Sequence, residues 1–195
     1  TATAGPYLFW VMVPLVSSTV DTVIYASYGD ATVTTDQQDA AGTWDTYFKA
    51  VWHFEDGSTL SLADATSNAN NGTNNGCTAI TGKIGGGLNK TDPVNPTSNY
   101  VSIADPNVGD PSTIEFWLDY ETNFEVYFLR HGPDTDSYIY CDGSGAGNTI
   151  YYNPGSGGAA VIAHGGFTSG TFYHLVLVRN GTTVTFYKNG AVQGS

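Results

Sequence analysis

The feature that most constrains this chain is a succession of short β-forming runs, each closed by Gly, Pro, Asn or Asp. From the N-terminus they are Leu8–Val13, Thr22–Tyr28, Tyr47–Phe54, Tyr100–Ile103, Thr113–Tyr120, Phe124–Arg130, Ser137–Cys141, Thr149–Tyr152, Ala160–His164, Phe172–Arg179, Thr182–Lys188 and Ala191–Gln193. Aromatic and β-branched side chains fit a pleated surface, and breakers this close together leave no room for a helix of several turns. No apolar pattern at helical spacing persists; the polar stretch Thr35–Ala41 is the one place where a turn of helix is expected. The pattern predicts an all-β chain of antiparallel sheets, a sandwich or barrel. Its 195 residues suffice for one large sandwich with a core.

The clearest local signal is a hairpin, Phe172–Arg179 returning as Thr182–Lys188, joined by Asn180-Gly181. Both turn residues tolerate the positive φ of a two-residue type I′ turn. A second pair, Asn189-Gly190, starts the short strand Ala191–Gln193. Apolar residues on both faces of Phe172–Arg179 predict a central strand, covered on each side.

Charge excludes some partners. Six basic residues against eighteen acidic ones give a net charge of −12, which repels phosphate backbones and anionic membrane surfaces. Nucleic acid and membrane insertion are therefore not expected: no segment approaches the roughly 20 apolar residues of a span, and the run Tyr7–Val16 is broken by Pro14. Cys77 and Cys141 allow one disulfide but do not demand it. Both ends read as cut from something longer.

The chain changes character near Trp44. Before it lies a Tyr-rich unit, residues 1–45, read as a partial N-terminal β module; after it, residues 46–195 are rich in Gly and Asn and read as the main sandwich. The segment Asp64–Gly76 has almost no apolar content and is expected to be a loop. Its Asp64, Asn70 and Asn71 are candidate Ca²⁺ ligands, since Ca²⁺ takes 6–8 oxygens from carboxylates, amides and carbonyls. The competing reading is a set of Asx-turns that satisfy their own backbone.

Several motifs now fall in a recognisable order. They are Val51-Trp52-His53-Phe54-Glu55, the loop from Asp64 to Thr73, Lys83-Ile84-Gly85-Gly86-Gly87-Leu88, Asn99–Ile103, Thr113–Leu118, Gly170–Val178 and Val184–Gly190. This order resembles the laminin-G-like jelly rolls of the concanavalin A-like lectin/glucanase superfamily. The resemblance implies a jelly-roll sandwich and an extracellular or virion-surface setting. Phe9–Pro14, Asp21–Tyr25 and Tyr28–Asp30 resemble the end of an uncharacterised β-domain that precedes such jelly rolls in phage and secreted proteins. Two departures stand out. The Asp64 loop has Ala-Thr-Ser where the family has Ser-Gly, and the family's closing strands have no counterpart here. The exposed sheet edge this implies would be filled by Leu8–Val13 or Thr22–Tyr28, or by a strand from a neighbouring subunit.

The superfamily includes glycoside hydrolases that set a Glu-x-Asp-x-Glu series on one strand face. Here Glu115, Trp117, Asp119 and Glu121 share a face, with a tryptophan breaking the series, so an enzyme is not expected. Trp117, mid-strand between apolar neighbours, is expected to be buried in the sandwich. The four histidines, His53, His131, His164 and His174, lack zinc spacing, and His174 reads as a satisfied core residue. Sugars need flat aromatic faces beside polar groups, and Tyr138, Tyr140, Tyr151 and Tyr152 are candidates to line such a face. The sequence thus reads as a lectin-like module that binds glycan or a cell-surface polymer. The alternative is a structural decoration or filament subunit that makes protein contacts by strand exchange, without sugar.

Overall fold

The computed structural model describes residues 8–55, 57–90, 99–120, 126–131, 137–142, 149–153, 160–163 and 166–194. In chain order the elements are α1 (Ala40–Thr43), β1 (Thr73–Asn75), β2 (Thr78–Thr81), β3 (Gly86–Asn89), β4 (Tyr100–Ser102), β5 (Ser112–Asp119) and β6 (Val126–His131). Then follow β7 (Ser137–Asp142), β8 (Thr149–Asn153), β9 (Ala160–Ala163), β10 (Phe172–Asn180), β11 (Thr183–Lys188) and β12 (Ala191–Gly194). All pairings among the described residues are antiparallel. One four-stranded sheet runs β12-β11-β10-β5 and a second runs β6-β7-β8-β9, while β1 pairs with β4 and β2 with β3.

The two large sheets face one another across a shared core. Leu175, Leu177, Val184 and Phe186 from the first meet Ile139, Ile150 and Tyr152 from the second, and Ile114, Phe116, Leu118 and Phe128 pack at the margin. Alternation explains the selection: Ile114, Phe116 and Leu118 project inward from β5, and Leu175 and Leu177 from β10. Phe186 has no exposed surface at all. β10 lies centrally, as expected, between β5 and β11. Its outer face, however, is half-buried rather than covered.

The Phe172–Lys188 hairpin forms, with its turn one residue later than the sequence suggests. Asn180 pairs with Thr183, so the central residues are Gly181 and Thr182. Positive φ at Gly181 (61°), and not at Thr182, is the signature of a type II′ turn with glycine first. The Asn-Gly chemistry of a type I′ turn appears instead between β11 and β12, where Asn189 (φ 51°) and Gly190 (φ 78°) are both left-handed.

Other expectations are corrected. Neither Leu8–Val13 nor Thr22–Tyr28 is a strand, because among the described residues no strand lies alongside to complete a ladder. Neither fills a sheet edge. Tyr47–Phe54 contributes only an isolated bridge from Trp52 to Asp64, and positive φ at Phe54 and Glu55 ends any extended path there. The turn of helix sits at Ala40–Thr43, slightly beyond Thr35–Ala41, because the Asp39 side chain caps it by accepting from Gly42 N at 2.9 Å. The polar segment Asp64–Gly76 is not wholly loop: Thr73–Asn75 pairs with Tyr100–Ser102, a largely exposed ladder that needs no apolar alternation. Cys77 is a buried free thiol, and burial pushes its pKa up.

Candidate functional site

The outer face of the first sheet carries a group of side chains that the alternation of β5 and β10 brings together. With Ile114, Phe116 and Leu118 turned to the core, Thr113, Glu115 and Trp117 must point away from it. Trp117 is accordingly 41% exposed, which corrects the expectation that it is buried. A tryptophan among apolar neighbours reads as core only when direction is ignored. Directly across the ladder is His174, with ring centroids 5.0 Å apart and planes tilted by 36°. His174 is thus also a surface residue of this face and not a core one. Its Nε2 lies 3.8 Å from Glu115 Oε2.

A third element completes the group. The β2–β3 hairpin pairs Thr81 with Gly86, and Lys83 sits at its tip. Gly85 holds φ 68°, and a Cβ on Gly86 would collide with the Phe54 and Glu55 carbonyl oxygens. Glycine there lets the hairpin close onto that backbone, with Gly86 N donating to Glu55 O. From this tip the Lys83 ammonium lies 5.7 Å from the centroid of the Trp117 ring, in cation–π range. The result is an exposed indole bordered by a cation, an imidazole and a carboxylate.

The tyrosines divide. Tyr152 is 8% exposed and belongs to the core, where burial pushes its hydroxyl pKa up although Arg179 beside it acts the other way. It cannot line an outer face. Tyr151, half-buried, occupies the opposite face of β8, and the register sets it across from Tyr140, two residues from Tyr138 on β7. Tyr138, Tyr140 and Tyr151 therefore occupy one face by register; the side chains of Tyr138 and Tyr140 lie outside the described residues.

The Asp64 loop is organised around the carboxylate itself. Oδ1 accepts from Val51 N and Thr66 N, both at 2.9 Å, while Oδ2 accepts from Thr66 Oγ1 at 2.8 Å and Asn70 N at 2.9 Å. Asn71 Oδ1 accepts from Asp64 N, Asn70 Nδ2 donates to Lys49 O, and Trp52 Nε1 donates to Asn70 O. Partial burial raises the Asp64 pKa, but these donors outweigh it and hold the carboxyl below its usual range. Ca²⁺ requires lone pairs aimed at the ion. In this arrangement the Asp64 and Asn71 oxygens face N–H and O–H groups, so the set as folded does not fit the ion. Among the described residues no three His, Cys, Asp or Glu gather in a metal-binding group.

A second aromatic group joins the N-terminal segment to the rest. Trp10 stacks on His53 at 4.5 Å, Trp44 lies 5.6 Å from His53, and Phe48 meets Trp44 edge-on at 5.0 Å. Desolvation lowers the His53 pKa, only partly offset by the charge of Glu55.

A family profile described as the concanavalin A-like lectin/glucanases superfamily matches residues 95–195, about half of the chain. That span contains β4 to β12 and therefore both large sheets. Among solved structures, the chain is similar to domain 4 of AbnA, a GH43 extracellular arabinanase from Geobacillus stearothermophilus, in complex with arabinotriose. The two are 18% identical, with a TM-score of 0.49, and the likeness covers 68% of each chain. No curated protein matches the chain.

Proposed function

The chain belongs to the concanavalin A-like lectin/glucanases superfamily, and we propose that it works as a glycan-recognition module outside a cell or on a virion surface, not as an enzyme. One observation carries this reading: Trp117, 41% exposed, stands on the outer face of a sheet beside polar groups. A pyranose ring needs such a flat apolar surface, with charged and polar groups at its rim to fix orientation. Sites on strands hold that geometry better than sites on loops.

The carboxylates of the same face argue against hydrolysis. Where the superfamily's glycoside hydrolases carry Glu-x-Asp-x-Glu on one strand face, β5 carries Glu115, Trp117 and Asp119, so the middle carboxylate is replaced by an indole. Trp117 occupies the intervening position. Recognition without cleavage is the chemistry these residues support.

The test is a glycan array followed by calorimetry on the strongest hit, with wild-type protein and Trp117→Ala. We expect binding that weakens at least about tenfold in the variant, a change of about 1.4 kcal/mol. Equal binding by both, or none by the wild type, overturns the reading.

A second reading, protein contact by strand exchange, is favoured by a different observation. Phe9, Val11, Leu15, Val16, Val20, Val23, Ile24, Tyr25 and Tyr28 are all more than half exposed, and none is in a strand. Such a segment is suited to adding itself to a sheet edge. Sedimentation across a concentration series tests it, with self-association expected and concentration-independent monomer excluding exchange between copies.

A further inference from the structure

We infer that the ligand of the Trp117 face is an acidic sugar, a hexuronate-bearing oligosaccharide whose carboxylate is met by Lys83. The inference rests on the carbohydrate-binding reading and adds the class of sugar to it.

The argument starts from how sparingly this chain uses cations. It has six basic residues against eighteen acidic ones. Most are occupied: Arg179 Nε lies 3.7 Å from Asp110 Oδ2, Lys188 donates to Gly166 O at 2.8 Å, and Lys49 to Thr46 O at 3.4 Å. Lys90 and Arg130 also have partners. Lys83 differs. It is exposed and, among the described residues, meets no carboxylate and no carbonyl; its contact is the face of Trp117. On a chain of net charge −12, a cation left without a counter-ion beside an exposed tryptophan is poorly explained by stability. An ammonium has three donors, and an aromatic face satisfies none of them with an oxygen.

A hexuronate supplies what is missing. Its pyranose ring stacks on indole, and its carboxylate, attached at the ring edge, emerges at the rim of the platform. The four-carbon stem of Lys83 lets the ammonium move from over the ring to that rim. Glu115, two residues from Trp117 on β5 and 3.8 Å from His174, is 65% exposed in its side chain and repels a carboxylate from its own side of the indole. The ligand's charge is thereby directed toward the β2–β3 hairpin. The remaining acidic residues of the chain oppose binding only weakly at physiological salt, where charges more than about 8 Å away are screened.

The experiment compares trigalacturonate, its methyl ester and a neutral β-glucan oligomer by calorimetry, for wild type, Lys83→Gln, Lys83→Arg and Trp117→Ala. We expect the acid to bind about fivefold more tightly than its ester, the size of a favourable exposed ion pair. The preference should shrink in high salt. In Lys83→Gln the ratio should fall to about one, and Lys83→Arg should restore it. Unchanged melting temperatures check that the exposed substitutions leave the fold intact. Equal binding of acid and ester by the wild type, or a preference that survives Lys83→Gln, overturns the inference. Binding of the neutral oligomer alone does so too, while leaving the carbohydrate reading in place. No binding of any sugar overturns both.

Discussion

Asn189 takes both backbone polar groups of His174: its N–H donates to the His174 carbonyl at 2.8 Å, and its Oδ1 accepts from the His174 N–H at 2.9 Å. The turn between β11 and β12 thus reaches across to fix the start of β10, the strand that presents His174 beside Trp117. Asn189 must also hold φ 51°, a conformation asparagine tolerates better than most residues. Asn189→Ala should cost about 1–2 kcal/mol, from a lost hydrogen bond and a strained φ together. Asn189→Gly keeps the backbone freedom and loses only the acceptor, so it should cost about 1 kcal/mol. Urea unfolding midpoints distinguish the two.

Phe186 should dominate the core. It is fully buried between the sheets, and Phe186→Ala should destabilise by about 3–5 kcal/mol, through lost transfer energy and the cavity left behind. Trp117→Ala, on the outer face, should cost far less. A denaturation midpoint that moves as much for Trp117→Ala as for Phe186→Ala would place the tryptophan in the core after all.

Asp64 predicts an acid-sensitive loop. Its folded pKa lies below the ordinary carboxylate value, so its contribution to stability is present above that value and is lost as pH falls through the folded pKa. Asp64→Ala removes the acceptor of four hydrogen bonds at once and should cost about 2–4 kcal/mol, because partly buried donors lose their partner. The variant should also have a flatter stability profile at low pH. Millimolar Ca²⁺ should leave the melting temperature of the wild type unchanged; a rise would mean that the loop opens to accept the ion.

His53 works in the opposite direction to a salt-bridged histidine. Desolvation lowers its folded pKa below 6.5, so the unfolded chain binds the proton more readily. Stability should therefore be complete above about pH 6.5 and decline as pH falls from there toward the folded pKa. The loss should loosen the Trp10–His53 stack, which tryptophan fluorescence reads. His53→Phe keeps an aromatic partner and should remove the pH dependence in this window.

Much of the sandwich could be read from the sequence, and the reasons are local. β10 and β11 declare themselves through unbroken β-forming runs and a glycine turn, although the turn falls one residue later than Asn180-Gly181. The N-terminal runs look equally strong but form no strand. Propensity describes one chain segment, whereas a strand needs a neighbour to bond with. The burial of Tyr152 against the half-exposure of Tyr151 follows from alternation, but only once the register of β8 is known. The outward direction of Trp117 is legible in the alternation of β5. Glu115, two residues before it on the same face, marks it as facing solvent. Lys83 could not be found that way, since its place over the indole depends on how a glycine hairpin packs on a distant backbone.

The order of strands has a kinetic consequence. β5 pairs with β10, yet the whole second sheet, β6 to β9, lies between them in the chain. The three C-terminal strands can meet through two short turns and should form early. The seam between β5 and β10 must wait until the intervening chain is gathered in, an entropic delay typical of folds rich in distant contacts, which take milliseconds to seconds. Trp117 and His174 come together across that seam, so the proposed sugar platform should be among the last parts of the molecule to assemble.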